Sequence, residues 1–562
     1  MFYPEIKGMN LVKKLRDEGK IEEVLQIISE LEHRDDLSLK ELCSYKLVKA
    51  ELLQELGNIL DANEIAKEIF QEFQKIGDLV SAFKALLIQA YSYMITTNLR
   101  KSEDIIRQAE DLLKVIKAIF SIDLRERESY LARIKAGIFF FKGQIRESLE
   151  FNKKAYRLAK DTGNKVLISI CLNNIADKYY HLKEYDKAIN YAKRALELIQ
   201  TPQSAVAFST LIEINVTKGD IKEAKHYLDL LRDYSEKFSS KWSNAFYQSS
   251  RGLILKSSLR ARDRIKAEDL FKELASDNTI SSELRIEAII HLCDLYLTEL
   301  QLTNDPDVIT EIYPYIQELI RISEKDHLYL YLAETHILQA KLSLLTLDIK
   351  KAKQFLIQAQ NIAESYGMRR LAMKISLEHD ELLRQTKMWE DLKASGVNLT
   401  ERLELAGLNE QMENMVKKRM IEIPEISKEN PVMLLFLTEG GNLLFSKQFV
   451  EDFSFEDDIL GGFLTSINYF ITEVFSEGLD RAIFGKHTLL MMPLQPFLVV
   501  YIFKGDSYYA HRKLKNFLNS IQNDSAIWQS LKKFLQQSKI IQLNDIPSLE
   551  SMVMKIFTSK KN

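Results

Sequence analysis

A spacing of twelve and then seven residues between small or aliphatic side chains recurs through the first two thirds of this chain. Ala176, Ala188 and Ala195 carry it within IADKYYHLKEYDKAINYAKRAL. Ala340, Ala352 and Ala359 repeat it, as do Ala136, Ser148 and Ala155, and Ala90, Ser102 and Ala109. The rhythm requires two antiparallel helices. The first small residue lets the pair cross closely, and the other two, two turns apart on the second helix, admit the next pair. Repetition of such hairpins predicts a stacked helical solenoid. The pattern starts at Val12, Ala50, Ala90, Ala136, Ala176, Ile212, Leu255 and Ala340, with gaps mostly near 40 residues and a last gap twice as long. That gap has room for a further unit around ELRIEAIIHLCDLYLTEL and the stretch from Pro306 to Pro314, without the small residues. Gly19, Gly57, Gly143 and Gly219 stand where the first helix of a pair must end, and an aliphatic residue follows two positions later.

The chain of 562 residues exceeds what one core usually serves, so an extended array or several domains are expected. Only nine prolines suit long helices, and 46% hydrophobic residues exclude a disordered chain. A net charge of −3 speaks against nucleic acid as partner. In the run Arg260, Arg262, Arg264 and Lys266, acids are interleaved and no aromatic platform accompanies the cations. Cys43, Cys171 and Cys293 are far apart inside helical patterns and read as buried thiols of a reducing compartment. The start, MFYPEIKGMN, lacks the basic and apolar regions of a signal peptide. The apolar run from Thr488 to Phe503 is too short to span a bilayer and is interrupted by Pro493 and Pro496. It reads as two buried strands, and a cytoplasmic protein is expected.

The repeat residues resemble the tetratricopeptide repeat family, best from Leu172 to Leu198 and over roughly Leu11 to Leu383. The resemblance implies that the first helix of each pair lines a concave face. There it would place Asn173, Asn174, Asp177, Tyr180 and His181, with Arg133 and Phe140 on one side and Lys256 and Arg260 on the other. Side-chain amides flanked by cations suit the backbone of an extended peptide or a carboxylate. The same residues also serve as polar contacts between repeats, and the sequence leaves both readings open. The two-lysine clamp of chaperone-binding relatives is not recognisable.

The array is expected over residues 1–383 and a connector over 384–430, whose helices would cap the array, pair as a short coiled coil or dock onto the next domain. In the connector, Leu408, Met412, Met415 and Val416 form a helical stripe, and Thr400 marks a helix start. From residue 431 the periodicity changes. VMLLFLTEGGNLLFSKQF reads as a hairpin around Glu439–Asn442, EDDILGGFLTSINYFITEVF as a helix, and RAIFGKHTLLMM with PFLVVYIFKG as a three-strand meander bent at Phe484–Lys486. The fold class expected is mostly α: a solenoid followed by a small α+β domain with a five-stranded antiparallel sheet. This order resembles the longin and roadblock group of profilin-like domains, with the closest likeness to archaeal proteins of the Asgard type. The resemblance implies a non-catalytic platform that dimerises or docks a partner such as a small GTPase. Candidate surfaces are the helix Asp458–Phe475, the basic stretch His511, Arg512, Lys513 and Lys515, and an unpaired sheet edge.

Chemistry-bearing motifs are missing. Gly485–Lys486 lacks the opening glycine of a phosphate loop, and strand follows it instead of helix. His327 and His336 are spaced wrongly for a metal pair on one helix face. No catalytic residue, cofactor or metal is therefore expected. The sequence points to a protein-interaction scaffold or adaptor that brings two ligands together through two tethered sites. The alternative is a signal-sensing regulator whose array binds an effector and controls the C-terminal domain.

Overall fold

The computed structural model describes residues 11–12, 15, 21–34, 36–198, 204–238, 241–416, 427–438, 443–450, 481–536, 541 and 545–558. Helix α1 (Ile21–Leu31) precedes a run of antiparallel pairs. These are α2 (Leu39–Glu55) with α3 (Ile59–Ile76), α4 (Leu79–Ile95) with α5 (Leu99–Ile119), and α6 (Arg125–Phe141) with α7 (Ile145–Lys160). Then come α8 (Lys165–His181) with α9 (Tyr185–Leu198), α10 (Ser204–Lys218) with α11 (Ile221–Phe238), and α12 (Lys241–Lys256) with α13 (Ala261–Ser276). The pair α14 (Ser282–Thr303) and α15 (Asp307–Lys325) fills the long gap in the pattern, and α16 (Tyr329–Leu345) with α17 (Ile349–Ser365) follows. Next are α18 (Arg369–Arg384), α19 (Thr386–Ser395), α20 (Leu399–Leu405) and α21 (Leu408–Val416). The chain closes with strands β1 (Asn430–Thr438), β2 (Leu443–Gln448), β3 (Arg481–Phe484), β4 (His487–Leu494) and β5 (Phe497–Lys504), then α22 (Ser507–Asn523), α23 (Ser525–Gln536) and α24 (Pro547–Val553).

The twelve small residues that define the spacing bury their side chains as the packing argument requires; of the alanines among them, none exceeds 2% exposure. Where serine replaces alanine, its hydroxyl serves the same crossing. Ser102 and Ser148 donate to the carbonyls of Ala90 and Ala136, twelve residues back, at 2.7 Å. At the open end of the hairpins, Ser129 and Ser169 donate to Ala155 and Ala195 at 2.8 and 2.9 Å. The hydroxyl thus satisfies itself inside the core, where an unpaired one would be costly. Consecutive first helices pack against each other, as α2 does on α4, α4 on α6 and α10 on α12. Among the described residues consecutive second helices have no comparable contact, so within the first unit the first helices lie inside the bend.

Two glycines on first helices make close approaches with different consequences. A Cβ at Gly252 would lie 2.8 and 2.9 Å from the Cζ and Cε1 atoms of Phe271, a fully buried ring stacked on His291. A Cβ at Gly137 would meet the thioether end of Met94, which can rotate away. Gly252→Ala is expected to destabilise by about 1–3 kcal/mol and Gly137→Ala by under about 1 kcal/mol, as read from chemical denaturation midpoints.

The chain divides into two compact units. One comprises Met1–Thr335, Ala363–Met368 and Asn409–Ile421; the other His336–Ile362, Arg369–Leu408 and Glu422–Asn562. Within the first unit the array turns back on itself. Gly57 approaches Ser281, where an added Cβ would lie 3.1 Å away. The Leu99 amide donates to the Tyr366 carbonyl at 3.1 Å, the Leu330 amide to Thr97 Oγ1 at 2.9 Å, and Tyr329 stacks on Tyr366.

In the second unit the sheet order is β2-β1-β5-β4-β3, antiparallel throughout. A hairpin therefore joins a three-strand meander through the β1–β5 pair, and Gly485 turns β3 into β4 with a positive φ of 56°. Alternation along β1 and β5 sends Leu434, Phe436, Val499 and Tyr501 into a core with α22, α23 and α24, and Leu435, Leu437, Val500 and Ile502 into a second buried cluster. The sheet margin is engaged from within the chain: the Ile541 amide donates to Leu444 on β2 at 2.7 Å, and α18 packs on β3. Helix α18 also supplies Asp380, whose carboxylate accepts from Arg481 at 3.2 Å and from the Ser507 amide and hydroxyl at 2.9 and 2.6 Å. Asp506, the N-cap of α22, holds no amide of its own helix and accepts instead from Ser427 and Arg384. The last repeat helix thus caps the first helix after the sheet.

Three readings of the sequence meet a more specific outcome. Helix α20 starts at Asn398, whose side chain accepts from the Glu401 amide at 2.9 Å; Thr400 lies inside the helix. The basic stretch is not a uniform free cationic face, since His511 is buried and Lys513 pairs with Glu429. Leu408, Met412 and Met415 are buried, as a stripe that packs on the chain itself would be. The turn Glu439–Asn442 and the helix expected over 458–475 lie outside the described residues.

Candidate functional site

The inner wall of the array is built from first helices. Arg133 on α6 and Asn173 on α8 occupy equivalent positions, three residues before the small residues Ala136 and Ala176. The Arg133 guanidinium lies 5.4 Å from the ring centre of Tyr130, one turn earlier on the same helix. Its Nε is buried with no hydrogen-bond partner. Tyr130 faces the Tyr91 ring of α4 at 5.9 Å and donates its hydroxyl to Gln54 Oε1 of α2 at 3.0 Å. Gln54 in turn donates to the Ile88 carbonyl and Ser92 Oγ at 2.9 and 3.2 Å. Three consecutive repeats are thereby tied through one polar chain. Burial holds the Tyr130 hydroxyl well above its ordinary pKa, reinforced by Tyr91, Glu51 and Glu55 against the opposing charge of Arg133. The phenol remains a donor across the physiological range.

A second cluster joins α6 to α8. Lys178 Nζ sits 3.6 Å above the centre of the Phe140 ring, and the His181 ring lies 4.9 Å from that ring. Asp177 pairs with Lys178 and with His181 Nε2 at 3.4 Å. Burial opposes the Asp177 charge, but Lys178 and His181 outweigh it and hold the carboxyl far below the usual range. Tyr180 shares a hydrogen bond of 3.1 Å with Thr217 of α10. Burial, with Glu213 nearby, drives its hydroxyl upward. These side chains are occupied with one another and couple adjacent repeats.

Of the nine residues read from the sequence, Phe140, Asp177 and His181 come together, and Tyr180 adjoins them. Asn173 and Asn174 are half-buried, and Oδ1 of Asn173 has no partner. Lys256 on α12 pairs with Asp294 and donates to Nδ1 of His291 at 3.0 Å, both from α14. Arg260 is exposed at the N-cap of α13, in the turn between paired helices. Sequence reasoning did not single out Tyr91, Tyr130, Gln54 or Lys178. The position of Tyr130 beside Arg133 was visible in the repeat frame, whereas the reach of its hydroxyl to a helix two repeats away depends on the twist of the stack. Among the described residues no cluster of His, Cys, Asp or Glu suits a metal ion, and no helix is long and apolar enough to cross a membrane.

Residues 129–201 match the family model described as tetratricopeptide repeat, in keeping with the helical-hairpin repeats around them. It is 26% identical over 288 residues to response regulator aspartate phosphatase I of Bacillus subtilis (strain 168), spanning 44% of this chain and 71% of that protein. Among solved structures it is similar to a Rap protein complexed with competence and sporulation factor, at 15% identity over 66% of this chain and 99% of that one, TM-score 0.40. It is also similar to the apo form of the quorum sensor NprR from B. thuringiensis, at 14% identity over 63% of this chain and 96% of that one, TM-score 0.37.

Proposed function

We propose that this chain is a protein-interaction adaptor without bond chemistry of its own, whose inner wall holds an extended peptide or a segment of a protein. The observation that carries the reading is the polar inner wall of α6 and α8, where Arg133 Nε and Asn173 Oδ1 are buried and unsatisfied. The half-buried Arg133, Asn173 and Asn174, on the first helices of successive repeats, offer donors and acceptors that suit the backbone of an extended peptide. The curated relative, named for a response regulator, supports a regulatory setting for such binding. For the C-terminal part, the hairpin-and-meander sheet supports the longin or roadblock likeness, and with it a docking role toward a second partner such as a small GTPase. The sheet margin at β2, already contacted by Ile541, is the less suitable surface for pairing with a second copy.

The signal-sensing reading gains support from a separate feature: Asp380 of the last repeat helix bonds directly to Arg481 and Ser507 of the sheet-bearing part. A change in that repeat would be felt at the sheet through a fixed joint instead of a flexible tether. Replacing Asn173 and Asn174 together with alanine is expected to abolish partner capture by the immobilised full chain while leaving its melting temperature unchanged, since Asn173 Oδ1 makes no bond to lose. Capture at the parental level by this variant would remove the inner wall from the proposal.

A further inference from the structure

The most exposed large hydrophobic side chain among the described residues is Leu259, 93% accessible in the turn between α12 and α13. Corresponding turns of other hairpins carry Gly57, Gly143 or Gly219. One exposed leucine is ordinary, but its surroundings are not. Arg262, Ile265 and Lys266 stand three and four residues apart and share the outward side of α13, away from the buried Ala267, Phe271 and Leu274. Ile265 is 59% exposed, and Arg260 is exposed at the N-cap beside Leu259. Elsewhere along the array cations pair with acids of the chain, as Lys84 does with Glu51, Lys256 with Asp294 and Arg285 with Glu318. Among the described residues, Arg260, Arg262 and Lys266 have no carboxylate at ion-pair distance. Asp263, the one acid within residues 257–267, is engaged by the Ser258 hydroxyl at 2.7 Å. Its carboxyl lies below the ordinary pKa, first through that bond and then through the charges of Arg262, Arg260 and Lys266, so the three cations act on one place. The turn is braced as well: Ser258 Oγ accepts from the Arg260 amide at 3.2 Å, and Arg264 Nε donates to the Ser258 carbonyl at 3.2 Å.

We propose that Leu259, Arg260, Arg262, Ile265 and Lys266 form a docking patch for the surface of an anionic phospholipid bilayer. The two aliphatic side chains enter the headgroup layer, and the three cations meet lipid phosphates and carboxylates around them. Unpaired cations select an anionic surface, since no acid of the chain has to be displaced first. Size favours lipid over protein: five side chains at a hairpin tip fall well short of the roughly 20–30 residues a side of a stable protein interface. A bilayer asks only for an apolar tip within a basic ring. Because the turn is already fixed, docking orders little that was free before. Asp269, also exposed and two turns further along the same side of α13, bounds the patch.

The test is co-sedimentation of the full chain with vesicles of phosphatidylcholine alone and of phosphatidylcholine with an equal part of phosphatidylserine. Binding is expected to the anionic vesicles only and to weaken as added salt shortens the screening length. R260Q/R262Q/K266Q is expected to weaken it about a hundredfold, at about fivefold for each charge. L259S/I265S is expected to weaken it about tenfold or more while leaving its salt dependence in place. Melting temperatures are expected to be unchanged in both variants, because the altered side chains are exposed and hold no ion pair. Absence of binding to the anionic vesicles would overturn the lipid assignment and turn attention to an acidic protein segment as occupant. Binding at the parental level by both variants would overturn the patch and move the contact elsewhere on the chain. Release from the vesicles by millimolar inorganic phosphate would overturn the surface assignment in favour of a free anion.

Discussion

Replacing Asp380 with alanine is expected to cost about 3–5 kcal/mol of stability, because it strips a buried cation of a buried ion-pair partner. Both members are out of solvent: Asp380 is 1% exposed and Arg481 likewise. One carboxylate oxygen receives Arg481 at 3.2 Å and the Ser507 hydroxyl at 2.6 Å, and the other receives the Ser507 amide at 2.9 Å. The amide matters separately, since the first N–H groups of a helix have no partner within it. Ser376 of α18 gives Arg481 a further acceptor in its hydroxyl at 3.1 Å. Truncation at Asp380 therefore leaves a buried guanidinium and an uncapped helix start together. Asp380→Asn keeps an acceptor for Ser507 and is expected to lose less. The double variant Asp380→Ala/Arg481→Met is expected to be more stable than Asp380→Ala alone, because removal of both charges removes the desolvation cost. Denaturation curves of the parental chain, Asp380→Ala, Arg481→Met and the double variant would measure this coupling. A loss under about 1 kcal/mol for Asp380→Ala would mean that water reaches the pair in solution.

Phe436→Ala is expected to have an effect of similar size, about 3–5 kcal/mol, through a cavity in place of lost charge. Phe436 is fully buried on β1, with edge-to-face rings from β2, β5 and α22: Phe445 at 5.7 Å, Phe497 at 6.5 Å and Phe517 at 5.9 Å. Each contact comes from a different element, so no single movement closes the void. Aromatic pairs of this geometry add about 0.5–1.5 kcal/mol beyond the area they bury. Phe436→Leu fills part of the space and is expected to cost less. Phe484 on β3, 42% exposed, provides the control, and Phe484→Ala is expected to leave the denaturation midpoint nearly unchanged. Equal losses at the two positions would show that the four-ring core is not the centre of the sheet's stability.

The candidate site was legible where it follows from the repeat frame. Counting three residues back from Ala136 and Ala176 leads to Arg133 and Asn173, both on first helices and both with unsatisfied buried atoms. The same counting misplaced Arg260, which caps α13, because the frame weakens where the chain has Gly252 and few small residues. Helix α20 shows a comparable displacement on a smaller scale. Thr400 and Asn398 both suit a helix start, and the hydrogen bond chooses Asn398. Tyr130, Gln54 and Tyr91 belong to one chain of contacts that no local pattern announces, since its members are up to 76 residues apart.

From the residues alone followed the stacked pairs, the buried crossing points at Ala90, Ala136, Ala176 and Ala340, and a five-stranded sheet after them. Each of these depends on short-range steric rules, such as a small side chain at a close crossing or alternation along a strand, and such rules act within a few dozen residues. Which buried nitrogen lacks a partner, which helix caps α22, and which early turn meets Tyr329 and Tyr366 depended on partners far along the chain. Small rotations between repeats accumulate over the stack and select those partners. That sum is a property of the assembled fold, and it placed Asp380 against Arg481 while leaving Arg133 Nε buried without a hydrogen-bond partner.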